Sequence, residues 1–432
     1  WGDSIGCAFV DLNKTLIQAA ALRRVPAAVA AMQRVVPLYQ FGDRLTVAAV
    51  DPTKFSEAAY ASALAREFNQ VEAENVMKFG PIHPTKDTYS FTASDQVIQF
   101  AQLNKMAVRG HTLVWHSQNP SWLTDGGFSL TQLMQIMQDH ITTVMQKYAG
   151  KVYAWDVINE PFNDDGTYRQ SVWTGSGANA SVGYLETALK TARAADPSAL
   201  LFINDFNVET TGTKADALYR VAQDFRGRGV PLDGVGLQAH LTVSFNNYAG
   251  LDANIKRFTD LGLQVHITEL DVRLAVDANG NPSISDQLIQ SQIYENVIKT
   301  CLKYPLCNSI QVWGVTDKYS WIPGAFTGFG SALPLDANYT PKQAYTGISN
   351  AFLIAPPVIN GAGLIDGASY AAGGVAPGEI VVFFGPTYGP SSIVTAQVQN
   401  SKVVTSLQDT RVLFDGVPAP MLYAVAGQVS AI

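Results

Sequence analysis

VYAWDVINEP, residues 152–161, is apolar and largely β-branched or aromatic from Val152 to Ile158 apart from Asp156, then stops on Asn159, Glu160 and Pro161. Short continuous runs of this kind suit a strand that is covered on both faces, as in a parallel sheet. A carboxylate closing such a strand needs a reason, because nothing in core packing asks for it. QVHITELD, residues 264–271, repeats the pattern, with Glu269 ending another apolar run. Whether the two acids meet depends on the architecture that carries them.

Working outward, eight such runs recur between residues 44 and 317: RLTVAAV, VEAENVMKF, AVRGHTLVW, VYAWDVINE, LLFINDFN, GVGLQAHL, QVHITELDV and SIQVWGVTD. Helical patterns fall between them, near 55–69, 93–105, 181–195, 213–226, 251–262 and 285–303. The clearest is SLTQLMQIMQDHITTVMQKYAG, where Leu130, Leu133, Met134, Met137, Ile141, Val144, Met145 and Tyr148 follow three- and four-residue steps. Strands alternating with helices imply parallel pairing through right-handed crossovers. Eight units point to a (β/α)₈ barrel, an α/β fold, rather than an open sheet.

In such a barrel, reactive groups gather where the strands leave the C-terminal face. Here those ends carry Glu74 and Asn75, His111 to Gln118, Asn159 and Glu160, Asn204 to Asn207, Gln238 and His240, Glu269 and Asp271, and Trp313 and Asp317. Any one of these reads equally well as a cap or a surface residue. Seven clusters in register imply a site. A carboxylate there serves as a metal ligand, an ion-pair partner or a catalytic group. No HxH or HExxH pattern is present, so no metal or cofactor is expected. Lys and Arg are scarce at these ends, Lys78 and Arg273 being exceptions. What remains is a pair of acids on strands four and seven, facing each other across the barrel mouth. Two such carboxyls, one protonated and one ionised, are the machinery of glycosidic bond cleavage.

Composition agrees with a neutral ligand. The net charge is −7, charged residues make up 15% of the 432, and no run of Lys or Arg exceeds two, which argues against nucleic acid. No window holds the ~18 apolar residues of a membrane helix. The chain starts at Trp1 rather than Met, a start that neither reveals nor excludes a removed secretion signal; a secreted location is the expectation. Cys301 and Cys307 in CLKYPLC either bridge a short loop or stay reduced, and Cys7 stands apart. The domain reading is a helical N-terminal extension over 1–43, a barrel over 44–354, and a Pro/Gly-rich linker with a small, truncated-looking all-β module over 355–432. A monomer is the default.

The stretches ENVMKF, RGHTLVWHSQNPSWL, WDVINEP, NDFN, GVGLQAHL, VHITELDVR and VWGVTDKYSWIPG closely resemble glycoside hydrolase family 10, over about residues 44–354 and in the family's order. The resemblance implies an endo-1,4-β-xylanase that retains configuration, with Glu160 as acid/base and Glu269 as nucleophile. It implies that Asn159 bonds the sugar's 2-hydroxyl, and that His240, backed by Asp271, fixes Glu269. By the same likeness Glu74, Asn75, Lys78, His111, Trp115, Gln118 and Gln238 hold sugars, while Trp313 and Trp321 wall the cleft. Phe79 stands where the family usually has Trp, which implies an altered corner of the sugar subsites. The family's cysteine pair implies a Cys301–Cys307 disulfide, and the tail resembles bacterial immunoglobulin-like modules. Two alternatives stay open: another β-1,4-glycanase on the same barrel, or a non-catalytic glycan-binding surface protein.

Overall fold

The computed structural model describes residues 8–12, 15–19, 45–175 and 182–352 and, in the tail, 364–366, 380–384, 392–399, 402–405, 407, 410–414, 417–425 and 428–432. Eight strands between residues 45 and 312 form the barrel wall: β1 (Leu45–Val50), β2 (Gln70–Ala73), β3 (Ala107–Trp115), β4 (Ala154–Asn159), β5 (Leu200–Asp205), β6 (Gly234–Leu237), β7 (Gln264–Ala275) and β8 (Cys307–Val312), with a short strand at His240–Thr242 added beside the upper part of β7. Each pairs in parallel with the next. β8 returns to β1 through Ser309 opposite Leu45, which closes the barrel. The helices that separate them are α1 (Ala58–Glu67), α2 (Thr92–Leu103), α3 (Leu130–Tyr148), α4 (Gly183–Ala195), α5 (Thr213–Arg228), α6 (Tyr248–Asp260) and α7 (Ile284–Leu302), with α8 (Gln343–Phe352) after β8. The (β/α)₈ expectation holds. The last helix escaped the periodicity reading because QAYTGISNAF is short and carries a Gly.

Local chemistry explains several boundaries. α3 begins at a capping box: Ser129 accepts from the Gln132 N–H, and the Ser129 N–H donates to the Gln132 side chain at 2.9 Å. A cap of this kind contributes about 1 kcal/mol. The helix then buries Leu133, Met137, Ile141, Val144, Met145 and Tyr148 on one stripe. VEAENVMKF leaves the sheet after Ala73, because the chain turns to present Glu74, Asn75 and Lys78 at the rim.

Register fixes the level of the site. Trp115 lies opposite Asn159, Asn159 opposite Asn204, and Asn204 opposite Gly236. Gly236 is required there: a Cβ would fall 2.1 Å from Asn204 Oδ1. Below this level the barrel interior holds a buried ion cluster. Arg109 pairs with Glu72 at 3.2 Å and with Asp156, and its guanidinium lies over the Phe202 ring.

The second compact unit is built from the two ends of the chain. One antiparallel sheet joins Leu364–Asp366, Val381–Phe384, Gln428–Ala431, Met421–Val425 and Val394–Thr395. Another joins Val417–Pro418, Thr410–Phe414, Ala8–Leu12 and Thr15–Ala19. Val381, Phe383, Val412, Met421 and Val429 share one apolar cluster. The helical reading of residues 1–43 therefore fails for 8–12 and 15–19, which are strands: AFVDL and TLIQA carry β-branched residues at strand spacing and find an edge at Thr410–Phe414. The Ala-rich stretch at 19–31 and the Pro/Gly-rich linker lie almost wholly outside the described residues. Cys301 and Cys307 form a disulfide between the end of α7 and the start of β8.

Candidate active site

A cleft of about 620 Å³ opens at the C-terminal face of the barrel. It is lined by Glu74, Asn75, Lys78, His111, Trp115, Gln118, Asn159, Glu160, Gln238, His240, Glu269, Trp313 and Trp321. All the expected catalytic and sugar-contacting residues thus come together. Asp271, expected in support, lies behind them, fully buried.

Backbone bonds at the top of the barrel place the two acids, Glu160 just past β4 and Glu269 within the long β7. The Glu160 N–H donates to the Asn204 carbonyl (2.8 Å), the Gln238 N–H to the Asp205 carbonyl (3.1 Å), and the Glu269 N–H to the Gln238 carbonyl (2.9 Å). The side chains repeat this linkage. Asn204 Nδ2 donates to Glu269 Oε1 at 2.8 Å and to Asn159 Oδ1 at 3.0 Å. Gln238 Nε2 donates to Asn159 Oδ1 at 3.3 Å and to Glu160 Oε1 at 3.1 Å. A continuous polar chain therefore joins the two carboxylates through Asn204, Asn159 and Gln238. On its other side, Glu160 Oε2 accepts from the Trp115 indole N–H at 2.9 Å.

The environments of the acids differ. Glu269 is 4% exposed. Burial would raise its carboxyl, but the hydrogen bond from His240 and the charge of His111 outweigh that and hold it below the usual carboxylate range. His240 Nε2 meets Glu269 Oε2 at 3.1 Å while Nδ1 meets Asp271 Oδ2 at 2.9 Å. Burial disfavours the imidazolium, yet the two acids dominate, Asp271 first, and the ring is pushed up to about 10. His240 is thus a cation that donates from both nitrogens. Trp321 Nε1 adds a bond to the same Asp271 oxygen at 2.9 Å.

Other cleft groups are also tuned. Burial draws the Lys78 ammonium below its ordinary value, against the pull of Glu269, Glu74 and Glu160. Its Nζ donates to Asn75 Oδ1 at 2.9 Å and lies 4.8 Å above the Trp115 ring. Glu72, His111 and Asp156 bring ligand atoms within 4.8 Å of one another, but Arg109 lies among them and its guanidinium supplies the balancing positive charge. The trio is part of a buried ion cluster in which Arg109 pairs with both carboxylates, and burial together with Asp156 pushes the Glu72 carboxyl well above its ordinary value.

Phe79 lies behind the cleft wall. It is buried, stacked on His140 with ring centroids 3.8 Å apart and packed against Trp122 and Trp173. It belongs to the core behind the cleft and is not among the residues that line it. Conversely, Phe206, Asn207, Arg273 and Phe326 line the cleft without having been assigned a role. The strand-end position of NDFN and of VHITELDVR was a signal for Phe206, Asn207 and Arg273, whereas Phe326 follows a four-residue helical turn with no periodicity to mark it.

Comparison with known proteins agrees with this geometry. The family model described as glycosyl hydrolase family 10 matches residues 38–351. A second, the MshEN domain, matches residues 5–67, a stretch that runs on through β1 and α1 of the barrel. Endo-1,4-beta-xylanase B of Thermotoga neapolitana is 41% identical over 291 residues, covering 67% of this chain and 82% of its own length. An endo-1,4-beta-xylanase of Agaricus bisporus is 41% identical over 303 residues, covering 69% and 88%. The crystal structure of xylanase 10B from Thermotoga petrophila in complex with xylobiose superposes with a TM-score of 0.71 at 38% identity, over 75% of this chain and 98% of that one. With the matched region spanning the closed barrel and both linked carboxylates, the chain belongs to glycosyl hydrolase family 10.

Proposed function

We propose that the protein is an endo-1,4-β-xylanase that cuts internal β-1,4 bonds of xylan with retention of configuration. The observation that carries this reading is the polar chain from Glu269 through Asn204, Asn159 and Gln238 to Glu160, which ties two carboxyls of unlike surroundings across one cleft. Glu269, ionised and aimed by His240, attacks the anomeric carbon as Glu160 gives its proton to the leaving oxygen. A covalent glycosyl–enzyme results. Glu160, now ionised, takes a proton from water, which releases the sugar with its original configuration. Asn159 bonds the 2-hydroxyl, a contact that strengthens as charge develops at the ring. Trp313 and Trp321 offer apolar faces to sugar C–H groups, and Glu74, Asn75, Lys78, His111, Trp115, Gln118 and Gln238 hold the neighbouring units.

The wider organisation belongs to the same reading. The barrel is the catalytic domain. The β unit is an immunoglobulin-like sandwich whose two sheets share the cluster around Phe383 and Met421, and it acts as a spacer or attachment module. The disulfide suits an oxidising compartment, hence secretion.

The test is to follow the anomeric protons of a soluble xylo-oligosaccharide by NMR from the first minutes of hydrolysis, beside a Glu269→Ala variant. The expected result is β-anomer first and a silent variant. The α-anomer leading would remove the retaining mechanism, and cleavage of cello-oligosaccharides but not xylo-oligosaccharides would assign the cleft to another glycanase.

A further inference from the structure

Among the described residues Arg273 has no charged partner, though it stands in a cleft meant for a neutral polymer. It lines the site, yet its only contacts of note are aromatic: its guanidinium lies 4.2 Å over the Phe326 ring and 5.9 Å from that of Phe329. The other described arginines that are more than half covered all donate to an oxygen. Arg109 bonds Asp156, Arg193 bonds Asp233, Arg257 bonds Asp216, and Arg169 bonds the carbonyls of Glu160 and Phe162. A planar cation held on an aromatic face keeps its N–H edge free for a second, in-plane partner.

Its position says what that partner is. Glu269, Asp271 and Arg273 follow one another at the two-residue period of β7, so they share a face. Four residues of strand carry Arg273 about 13 Å beyond the nucleophile, where it pairs in register with Thr242 at the rim. A glycan backbone bound at Glu269 lies deep in the mouth, whereas a substituent pointing outward from a sugar ring reaches the rim. We infer that Arg273 recognises a carboxylate on a side branch of the glycan, that is, a uronic-acid-substituted xylan. Carboxylate is the group a guanidinium edge binds in bidentate fashion, with hydrogen bonds roughly twice as strong as those to a neutral hydroxyl. This inference rests on the xylan reading of the cleft.

The experiment compares three xylo-oligosaccharides of equal backbone length: unbranched, bearing one glucuronic acid, and bearing its methyl ester. The ester keeps the bulk of the branch and removes its charge. For the wild type, kcat/KM on the acid is expected to exceed that on the ester by roughly 10-fold or more, and the margin should shrink as salt rises. In Arg273→Met the acid-to-ester ratio should fall to about one, and Arg273→Lys should restore part of it. Equal rates on acid and ester in the wild type, or an unaltered ratio in Arg273→Met, would overturn the inference while leaving the xylanase reading intact. So would an equal loss on all three substrates in the Met variant, which would make Arg273 a packing residue for Phe326. No cleavage of any of the three would overturn both readings.

Discussion

Glu160 sits at φ 52°, in the left-handed region that a residue with a Cβ occupies at a cost of about 1–3 kcal/mol. Its N–H bond to Asn204 and the Arg169 Nε bond to its carbonyl, at 3.2 Å, hold it there. Gln118 and Asn207, both in the cleft, and Ala239, just before His240, share this conformation. Four of the seven described non-glycine residues with positive φ thus lie at or beside the mouth, where side chains must be aimed across it. Ala239 has its own anchor, since its N–H donates to the buried Glu209 carboxylate at 2.8 Å, and this sets the direction of His240. His240 carries a consequence for pH. Its folded value of about 10 lies above the ordinary 6.5, so between those limits the folded state binds a proton that the unfolded state has lost. The stability it contributes is therefore complete below pH 6.5 and drains away as pH rises toward 10. Thermal melting of the wild type should show a marked fall in Tm across that window, and His240→Asn, less stable to begin with, should show a shallower one. Parallel slopes for the two proteins would mean that the imidazole is not charged in the fold.

At the scale of strands and helices, the site depends on small residues that let polar ones stand upright. Gly236 on β6 faces Asn204 on β5, and a methyl group there would meet Asn204 Oδ1 at 2.1 Å and Thr268 Cγ2 at 2.9 Å. Asn204 would have to move, and with it the bonds to Glu269 and Asn159. Gly236→Ala should therefore lower kcat by roughly 100-fold, the usual effect of losing one positioned donor, while overpacking costs about 1–3 kcal/mol of stability. Xylan turnover against Tm tests this: a lost Tm with intact turnover in the surviving fold would show that Asn204 can adjust without consequence. Gly236 also marks the limit of what the chain reveals unfolded. Periodicity exposed the eight strands and seven of the helices because apolar spacing is imposed by burial alone. The carboxylates were legible because an acid at the end of an apolar run contradicts that pattern. That Lys78 turns into the cleft while its neighbour Phe79 turns onto His140 is a choice made by tertiary packing, which spacing does not reveal. Arg273 and Phe326 find each other across more than fifty residues, and no local signal announces such a pair.

For the whole molecule, all the cleft-lining residues fall between Glu74 and Phe326, inside the compact unit Asp43–Ala351. That unit closes its own sheet through β8 and β1, which leaves no strand edge between them to be completed from elsewhere. Its last helix packs Ala344, Tyr345, Ile348, Ala351 and Phe352 into buried positions, so a cut should fall after Phe352 rather than before it. The other unit draws strands from both chain ends, with Ala8–Leu12 paired to Thr410–Phe414. Removing only one end would strip a sheet of its partner and expose an apolar edge. A fragment of residues 43–352 should therefore hydrolyse soluble xylan with kcat/KM within about twofold of the full chain, because uniform binding and transition-state binding both reside in the barrel. A chain lacking only residues 1–43 should be as active but more prone to associate, since Thr410–Phe414 would present an open strand. Light scattering and kcat/KM measured on both separate these effects. A large loss of kcat/KM in the 43–352 fragment would show that catalysis draws on the β unit, and it would move the search for substrate contacts beyond the cleft.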